Sequence, residues 1–508
     1  MKTLLYNIVL SIALVVVAPA ALATTDTITQ DFAGDSDSIV LQSRVRHDKP
    51  QMASAYISDD GQSIIIAAYR NATDGWSEPV TQTVDPLEGA SYVEIDNLRI
   101  KALARFWVIY AIARHLDSDG NFVAASYEAF TVNRNGYESG TLTGSDADID
   151  PVVTDESDIA FDIFPSHNTG SDSFWILWGQ DGELHLTDWI STSSDHQAIS
   201  LAEAADLAQP YVMLPTIVYP NVLTNGPRYL VGTTDTGLHV AIHRPGSLLA
   251  ILVDVDDTAG ATVLDARWGN DDIIHVLYEL DGSVYATRVN VDADTHSDPI
   301  ELFSSDSVSA SDVSATYNRY GNGQYLVTWR AQNGSSYTFE TRLWRGGSNR
   351  WATTETLFST TDADIALPTV YPYHNGRLQL IWENGAGELK WKRYNSGTQE
   401  WGATETLETV YGNLTLDEPL DCLANQPKKL YVCSFTNNTN DKTEMHPWVI
   451  GNEDSLQAGL ELPTGYDLIT QQLASYYRDT DNRNWYFALV HKDDRLKTMI
   501  GLKTELFQ

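Results

Sequence analysis

The sequence has few cysteines, few basic residues and very little helical periodicity. Of its 508 residues, two are cysteine and 32 are lysine or arginine, against 69 aspartate and glutamate, which gives a formal net charge of −37. The acidic residues are spread along the chain rather than collected in a tail. Electrostatic repulsion therefore argues against nucleic acid or an anionic membrane as a partner. A polyanionic ligand would need basic residues gathered in one groove.

Common catalytic signatures are missing as well. The chain contains no G-x-S-x-G turn, no H-E-x-x-H motif, no P-loop and no cysteine pattern for zinc. The S-x-D-x-G-x-T-W box of sialidases does not occur either. These absences exclude the best-known hydrolase, metalloprotease and nucleotide-binding patterns.

Long apolar runs are confined to the N-terminus. Lys2 precedes an apolar run over residues 8–17, and Ala21-Leu22-Ala23 forms an A-x-A cleavage site. This pattern predicts a signal peptide over residues 1–23 and a mature protein that is secreted, outside the cell or in the periplasm. The alternative is a membrane anchor, but the run is shorter than the ~20 residues that a span requires. We expect a soluble monomer with no membrane partner.

The most regular stretch of the mature chain runs from Leu367 to Thr409. It reads LPTVYPYH, Asn375-Gly376, RLQLIWEN, a glycine-containing turn, ELKWKRYN and then Trp401. Alternation with period two buries one face of a strand, and glycine or asparagine supplies the positive φ of tight turns. The stretch therefore predicts a four-stranded antiparallel meander.

A second copy of this unit precedes it. Trp351 and Trp401 stand in the related phrases NRWATTETL and QEWGATETL, 50 residues apart. A fixed period of that size is typical of a solenoid or propeller. We therefore predict an all-β fold, a β-propeller of seven or eight four-stranded antiparallel blades, formed by residues 24–508 as a single domain. The strand within Ser38 to Ser43 is a candidate to close the ring by pairing with the last blade.

The two cysteines stand close together in LDCLANQPKKLYVCSF. A hairpin turn near residues 425–428 would bring Cys422 and Cys433 opposite one another, and an oxidising compartment would let them form a disulfide. Two buried free thiols are the alternative reading. In neither case do we expect a catalytic role.

Candidate site residues come from the predicted strand register. In a propeller, the loops between second and third strands and those leading into each first strand lie on one face. We predict that Arg70, His115 and His167 end second strands on that face, next to a basic loop with Arg44, Arg46 and Lys49. A histidine at a strand end is more often structural than catalytic. The third unit can also be read with Trp178 ending its second strand, which would move His167 to the opposite face.

Other prominent side chains have structural readings. His185, His239 and His243 lie inside predicted strands, where a hydrogen-bonded structural histidine is expected. The strand tryptophans Trp329, Trp344, Trp382 and Trp391 are predicted to pack between blades rather than to form sugar-binding platforms.

The first unit resembles the opening blade of secreted propeller polysaccharide lyases. The resemblance rests on the His47-Asp48-x-Pro50 start, the Asp60-Gly61 turn and the Arg70-Asn71 end, together with the signal peptide, size and acidity. On these features the mature chain looks like a β-propeller ulvan lyase of a marine bacterium.

The resemblance implies β-elimination on an anionic, sulfated polysaccharide that contains uronic acid. A base removes the C5 proton, a cation neutralises the carboxylate, and an acid protonates the leaving O4. On this expectation His115 and His167 are base and positioning group, Tyr211 is the acid, and Arg228 is the neutralising cation, although the register puts Arg228 at the start of a second strand. Arg46 or Arg70 could replace it.

The resemblance also implies substrate contacts and limits the cofactors. Arg44, Arg46, Lys49 and Arg70 would bind sulfate and carboxylate groups, because guanidinium binds oxyanions with two parallel hydrogen bonds. No cofactor is required for the chemistry, and a structural metal ion stays open.

Two alternatives remain from the sequence. A non-catalytic carbohydrate-binding propeller would hold sugars in repeated aromatic pockets between blades, which the regular tryptophan spacing favours. A propeller glycoside hydrolase would need two carboxylates facing one another, for which Glu279 and Glu383 are candidates.

Overall fold

A computed structural model describes most of the mature chain. The described residues are 31–32, 40–46, 49–70, 75–76, 79–102, 106–133, 144–146, 152–165, 173–181, 183–190, 198–200, 216–218, 228–234, 236–243, 250–270, 272–318, 323–363, 365–372, 377–384, 386, 388–406, 421–425, 430–437, 442–449, 460–461, 466–475, 484–492 and 496–504. The predicted signal peptide lies outside these residues. No helix in the described ranges has the length and apolar character needed to cross a bilayer.

The described residues form antiparallel β-sheets, numbered here in chain order. The first strand of the chain, β1 (Asp31–Phe32), belongs to the last sheet. Sheet 1 contains β2 (Val40–Arg46), β3 (Lys49–Ile57), β4 (Ser63–Arg70), β5 (Gly75–Trp76) and β6 (Val80–Thr83). Sheet 2 contains β7 (Tyr92–Ala102), β8 (Phe106–Leu116), β9 (Phe122–Asn133), β10 (Gly144–Asp146) and β11 (Val152–Val153).

The next three sheets continue the pattern. Sheet 3 contains β12 (Phe161–Pro165), β13 (Ser173–Gln180), β14 (Glu183–Ile190) and β15 (Ala198–Ser200). Sheet 4 contains β16 (Thr216–Val218), β17 (Arg228–Thr234), β18 (Gly237–His243) and β19 (Ala250–Val255). Sheet 5 contains β20 (Thr262–Trp268), β21 (Ile273–Leu280), β22 (Ser283–Asn290), β23 (Thr295–His296) and β24 (Ile300–Ser304).

Four more sheets complete the described chain. Sheet 6 contains β25 (Val313–Asn318), β26 (Gln324–Asn333), β27 (Ser336–Arg345), β28 (Arg350–Trp351) and β29 (Glu355–Thr360). Sheet 7 contains β30 (Thr369–Pro372), β31 (Leu378–Glu383), β32 (Leu389–Asn395), β33 (Glu400–Trp401) and β34 (Glu405–Thr406).

Sheet 8 contains β35 (Asp421–Asn425), β36 (Leu430–Asn437), β37 (Lys442–Val449) and β38 (Leu460–Glu461). Sheet 9 contains β39 (Tyr466–Ser475), β40 (Asn484–Lys492) and β41 (Leu496–Thr504), with β1 as its fourth strand. Short 3-10 turns cover Glu156–Asp158, Ala310–Asp312 and Gly346–Ser348.

Each sheet is an antiparallel meander in which consecutive strands pair, and in sheets 1, 2, 5, 6 and 7 the fourth strand is divided into two segments. The connections of a meander alternate between its two ends. The end that joins first to second and third to fourth strands is named the lower end. The end that joins second to third strands, and each sheet to the next, is named the upper end.

Neighbouring sheets share this orientation. At the lower end of sheets 6 and 7, Asn318 Nδ2 donates to the Arg377 carbonyl at 2.9 Å, and at their upper end Arg330 Nη1 donates to the Ala363 carbonyl at 2.5 Å. The Asn270 amide of sheet 5 likewise donates to the Tyr317 hydroxyl of sheet 6 at 2.6 Å. Corresponding ends of these sheets therefore lie side by side.

The cores lie between sheets. Apolar clusters join sheets 1 and 2, 2 and 3, 4 and 5, 5 and 6, and 6 and 7. Trp329 and Trp344 are buried between sheets 5 and 6, and Trp382 between sheets 6 and 7. The prediction that these side chains pack between blades is confirmed, and Trp391 is also buried. Because both faces of a sheet are apolar, each sheet needs a neighbour on each side.

The predicted all-β meander is confirmed, including the unit from Leu367 to Thr409, which is sheet 7. The predicted number of strands per unit is confirmed, but the predicted closing strand of the ring is wrong. The segment within Ser38 to Ser43 is part of β2, the first strand of sheet 1, and the strand that pairs with the end of the chain is β1. The described strands form nine sheets, whereas the sequence predicts seven or eight blades. The ninth sheet has four strands because β1 pairs with β41, next to β40 and β39.

The cysteines stand where the hairpin prediction puts them. Cys422 in β35 and Cys433 in β36 are directly opposite in the register. The disulfide itself remains a prediction.

Candidate functional site

The basic residues of sheet 1 lie at the lower end. Arg46 is opposite Lys49 at the β2–β3 connection, and Gln51 is opposite both Arg44 and Arg70. The prediction that Arg70 ends a second strand on the same face as His115 is wrong. Because β2 is the first strand of sheet 1, each later strand of that sheet stands one place further along than the sequence predicts. Arg70 therefore ends the third strand, β4.

Of the three other predicted catalytic residues, Arg228 lies within the described ranges. Arg228 is the first residue of β17 and is opposite His243, at the lower end as its register predicted. His167 and Tyr211 lie outside the described residues. The second strand of sheet 3 is β13 (Ser173–Gln180), so the prediction that His167 ends that strand is wrong. β13 contains Trp178, as the alternative reading of the third unit requires.

His115 is buried and fully hydrogen-bonded near the upper end of sheet 2. Its Nδ1 accepts the Leu87 amide at 3.2 Å, so Nε2 carries the proton and donates to Ser126 Oγ at 2.9 Å. Ser126 Oγ in turn donates to Glu128 at 2.7 Å. Burial also lowers the pKa of His115, which keeps the ring neutral. These contacts fit a structural histidine, and its catalytic role remains a prediction without geometric support.

The structural role predicted for His239 is confirmed, and the two candidate carboxylates, Glu279 and Glu383, lie on sheets that are not neighbours. His239 is buried and bonds Thr234 Oγ1 at 2.7 Å and the Asp254 carboxylate, which confirms its structural role. Glu279 and Glu383 end second strands at the upper end, on sheets that are separated by sheet 6. Glu279 accepts the Gly282 amide at 2.7 Å and so holds the turn between β21 and β22.

Charge is divided between the two ends of the sheets. The exposed acidic side chains at the upper end are Asp59, Asp60, Asp85, Glu88, Asp119, Asp155, Glu156, Asp181, Asp256, Asp257, Asp281, Asp306, Asp362 and Glu388. The basic side chains described at the lower end are Arg99, Lys101, Arg267, Arg288, Arg342, Arg345, Arg350, Arg377, Lys392 and Arg393. The carboxylates at this end in the same ranges include Asp265, Asp272, Asp292, Asp294 and Glu400, together with Asp162 and Glu355, which pair with Lys101 and Lys392.

The upper-end cations are neutralised where they stand. Arg114 pairs with Glu156, Arg330 with Asp312 at 2.6 Å, and Lys390 with Glu388 at 2.8 Å. At the lower end, Lys101 pairs with Asp162, Arg267 with Asp265 and Lys392 with Glu355. Arg342, however, donates to the carbonyl oxygens of residues 352 and 301 at 3.0 and 3.2 Å, and Arg288 donates to Asn349. Because these acceptors are uncharged, the hydrogen bonds do not compensate the positive charge of the two guanidinium groups.

A buried polar cluster lies at the lower end between sheets 5 and 6. His275 is almost fully buried, with Tyr325 stacked at 4.6 Å, the Trp344 ring edge-on at 4.7 Å and Tyr317 at 5.5 Å between ring centroids. Neither ring nitrogen of His275 has a hydrogen-bond partner among the described residues. Burial, aided by the positive charge of Arg288, lowers the pKa of His275 to about 3.

A carboxylate is buried beside that histidine. Asp265 accepts hydrogen bonds from Arg267 Nε at 3.1 Å and from the Tyr325 hydroxyl at 3.2 Å. Burial raises the pKa of Asp265 and of Tyr325. No sequence pattern marks this cluster, since His275 occupies one position in an otherwise apolar strand, IIHVLY. Tyr325 and His275 are too deeply buried to meet a polymer.

Metal ligation finds no support in the described ranges. They contain no group of three or more histidine, cysteine, aspartate or glutamate side chains arranged to hold a metal ion.

Comparisons with known proteins give similarity of shape alone. No protein-family profile and no curated protein matches the sequence. The Dos1 propeller aligns with 94% of this chain and 95% of its own, at 10% identity and a TM-score of 0.40. The β-propeller domain of the trilobed protease of Pyrococcus furiosus aligns with 65% of this chain and 91% of its own, at 8% identity and a TM-score of 0.33.

A third solved structure is longer than this chain. A post-proline cleaving enzyme from Rickettsia typhi aligns with 90% of the chain at 10% identity and a TM-score of 0.37, and the chain spans 57% of that enzyme's length.

The buried imidazole predicts a specific acid sensitivity. With a folded pKa of about 3 against the ordinary 6.5, His275 binds a proton in the unfolded chain first, so stability is fully present above pH 6.5 and falls as the pH drops toward 3. Denaturant melts at pH 7 and pH 4.5 measure how much free energy of unfolding the protein loses on acidification. We expect this loss to be smaller in His275→Phe than in the unaltered protein by roughly 1–3 kcal/mol. Equal losses in the two proteins would show that His275 does not titrate in this way.

Proposed function

We propose that the protein is a secreted, monomeric β-propeller that binds an anionic polysaccharide through the lower end of its sheets. The division of charge carries this proposal: a chain of net charge −37 concentrates arginine and lysine at one end of its sheets and exposed carboxylates at the other. Segregated charge of this kind directs a polyanion to one surface and repels it from the other.

The architecture supports this reading. The N-terminal β1 pairs with β41 of sheet 9, and β2 of sheet 1 contacts β39 of sheet 9. Strands from the two chain termini thus share one sheet, which is a common way to close a propeller. We infer that the nine sheets are blades of one ring. Their lower ends would then form a single basic rim.

The residues implied by the lyase resemblance support the same end. Arg44, Arg46, Lys49 and Arg70 are lower-end positions of sheet 1, next to a turn without a hydrophobic side chain. The register puts Arg46 opposite Lys49, so this hairpin holds two basic residues at paired positions.

Cleavage of the bound polymer by β-elimination is the second candidate function. It is favoured by the lower-end position of Arg228, the first residue of β17. His167 would then remove the C5 proton of a uronate such as that of ulvan, while Arg228 neutralises its carboxylate. His115 would act only through the packing of sheet 2.

The binding proposal predicts a selective loss of affinity. Arg46→Ala/Lys49→Ala should weaken binding of ulvan by about tenfold or more, because each cation contributes charge-assisted hydrogen bonds. Affinity electrophoresis or calorimetry would measure this at two salt concentrations, since screening weakens such contacts. The matched control, Arg114→Ala/Lys390→Ala, removes two upper-end charges and should bind as the unaltered protein does. Equal losses in the two variants, or equal affinity for neutral dextran, would contradict the proposal.

The cleavage proposal has its own readout. Ulvan incubated with the protein should gain ultraviolet absorbance from the unsaturated uronate, and His167→Ala should lose the activity by two or more orders of magnitude. His115→Ala should keep turnover in the fraction that folds, while its melting temperature falls because Ser126 and the Leu87 amide lose their partner. Binding without any absorbance change would leave a binding protein and remove the lyase.

A further inference from the structure

The lower corner of sheet 6 is a basic stretch at the end of the sheets to which the proposed function assigns the polymer. It covers residues 341–354, from the end of β27 through the Gly346–Ser348 turn and past β28, and is named the sheet-6 corner. It contains Arg342, Arg345 and Arg350 and no acidic residue, in a chain with 69 of them. Such local depletion of carboxylates leaves a concentrated positive charge.

Two of these arginines face one another. Arg345 in β27 and Arg350 in β28 are directly opposite in the antiparallel register. Side chains at such positions stand on the same face of a sheet, so two guanidinium groups there repel. The Nε of Arg345 is buried without a hydrogen-bond partner among the described residues, and Arg350 is exposed. A buried guanidinium donor that has no acceptor costs stability unless a ligand supplies one.

The neighbouring carboxylate is already engaged. Sheet 7 packs against this face of sheet 6, with Leu343 and Tyr394 in a shared cluster. Its Lys392 is buried and forms an ion pair with Glu355, and the Lys392 ammonium lies 4.8 Å from the Trp401 ring centroid. Burial raises the pKa of Tyr394, and the positive charge of Arg345 and a hydrogen bond between the two side chains oppose that rise, so it is the Nε of Arg345 that has no partner among the described residues. The Glu355 charge is therefore balanced locally and does not compensate Arg345 and Arg350.

Arg342 and Trp351 belong to the opposite face of the corner. The Arg342 guanidinium lies 5.8 Å from the Trp351 ring centroid, and Trp351 packs edge-on toward Tyr325 on the sheet 5 side. These two residues hold the corner in place and leave the arginine pair on the sheet 7 side.

The equivalent corner of sheet 7 is a natural comparison. There the register pairs Asn395 with Glu400 and Tyr394 with Trp401, where sheet 6 pairs Arg345 with Arg350 and Trp344 with Trp351. The aromatic pair is retained and the arginine pair is not. The backbone of this corner therefore does not require two arginines.

We propose that Arg345 and Arg350 form a clamp for a tetrahedral oxyanion, the sulfate half-ester of a bound polysaccharide. A carboxylate matches a single guanidinium with its two oxygens, whereas a sulfate ester has three free oxygens and accepts from two guanidinium groups at once. The identity of the polymer rests on the proposed function. The oxyanion clamp itself does not, because inorganic sulfate tests it directly.

The test exchanges the clamp for the residues that sheet 7 uses. Calorimetric titration of the whole protein with inorganic sulfate should give binding that falls by about tenfold or more in Arg345→Asn/Arg350→Glu. Arg114→Ala/Lys390→Ala, which removes two upper-end charges, should keep the sulfate affinity of the unaltered protein. If the double variant does not fold, Arg350→Gln alone, an exposed position, should still weaken binding.

Further titrations with polymers and with phosphate distinguish which anion the clamp binds. Dextran sulfate should bind through the clamp and neutral dextran should not, and inorganic phosphate should bind no more tightly than sulfate. Sulfate binding that is unchanged in Arg345→Asn/Arg350→Glu, or phosphate binding that is tighter, would overturn the assignment. Clamp-dependent binding of inorganic sulfate, with no binding of dextran sulfate or ulvan, would support the clamp and refute the proposed polysaccharide function.

Discussion

A four-stranded antiparallel sheet with two apolar faces cannot bury either face by itself. In this protein each described core lies between neighbouring sheets, so the sheets stack with their strands in the same order. That constraint fixes more than packing, because it brings the same kind of connection to the same end throughout. Polar residues in the connections are thereby sorted into two surfaces, and the charge of each surface becomes a property of the whole stack.

The buried polar groups show what this packing costs. Asp265, Tyr325 and His275 lie at the lower end of the sheet 5–6 interface, where burial raises the pKa of the first two and lowers that of the third. All three shifts favour the uncharged form, as expected when solvent is removed. The arginines around them stay charged, so the surface outside remains basic while the interior is neutral.

Much of the fold could be predicted from the sequence. The repeat around Trp351 and Trp401 gave the antiparallel unit and its period, because aromatic pairs and glycine turns recur at the same strand positions. The start of the chain could not be predicted in this way, because β1 is two residues long and its partners, Lys497 and Thr498, are 465 and 467 positions away. Without β1, the sequence predicts β2 as the closing strand, which shifts sheet 1 by one strand and puts Arg70 at the wrong end. His275 could not be found, since a single polar residue in an apolar strand carries no pattern.

The central claim is that an anionic polymer binds the lower end of the sheets and not the upper end. Hydrogen–deuterium exchange with and without saturating dextran sulfate measures this directly, because bound ligand slows amide exchange where it lies. The account predicts slower exchange in peptides covering residues 44–51 and 341–354, with unchanged exchange in the upper-end turns at residues 117–121 and 281–282. Slower exchange confined to the upper-end turns would contradict it.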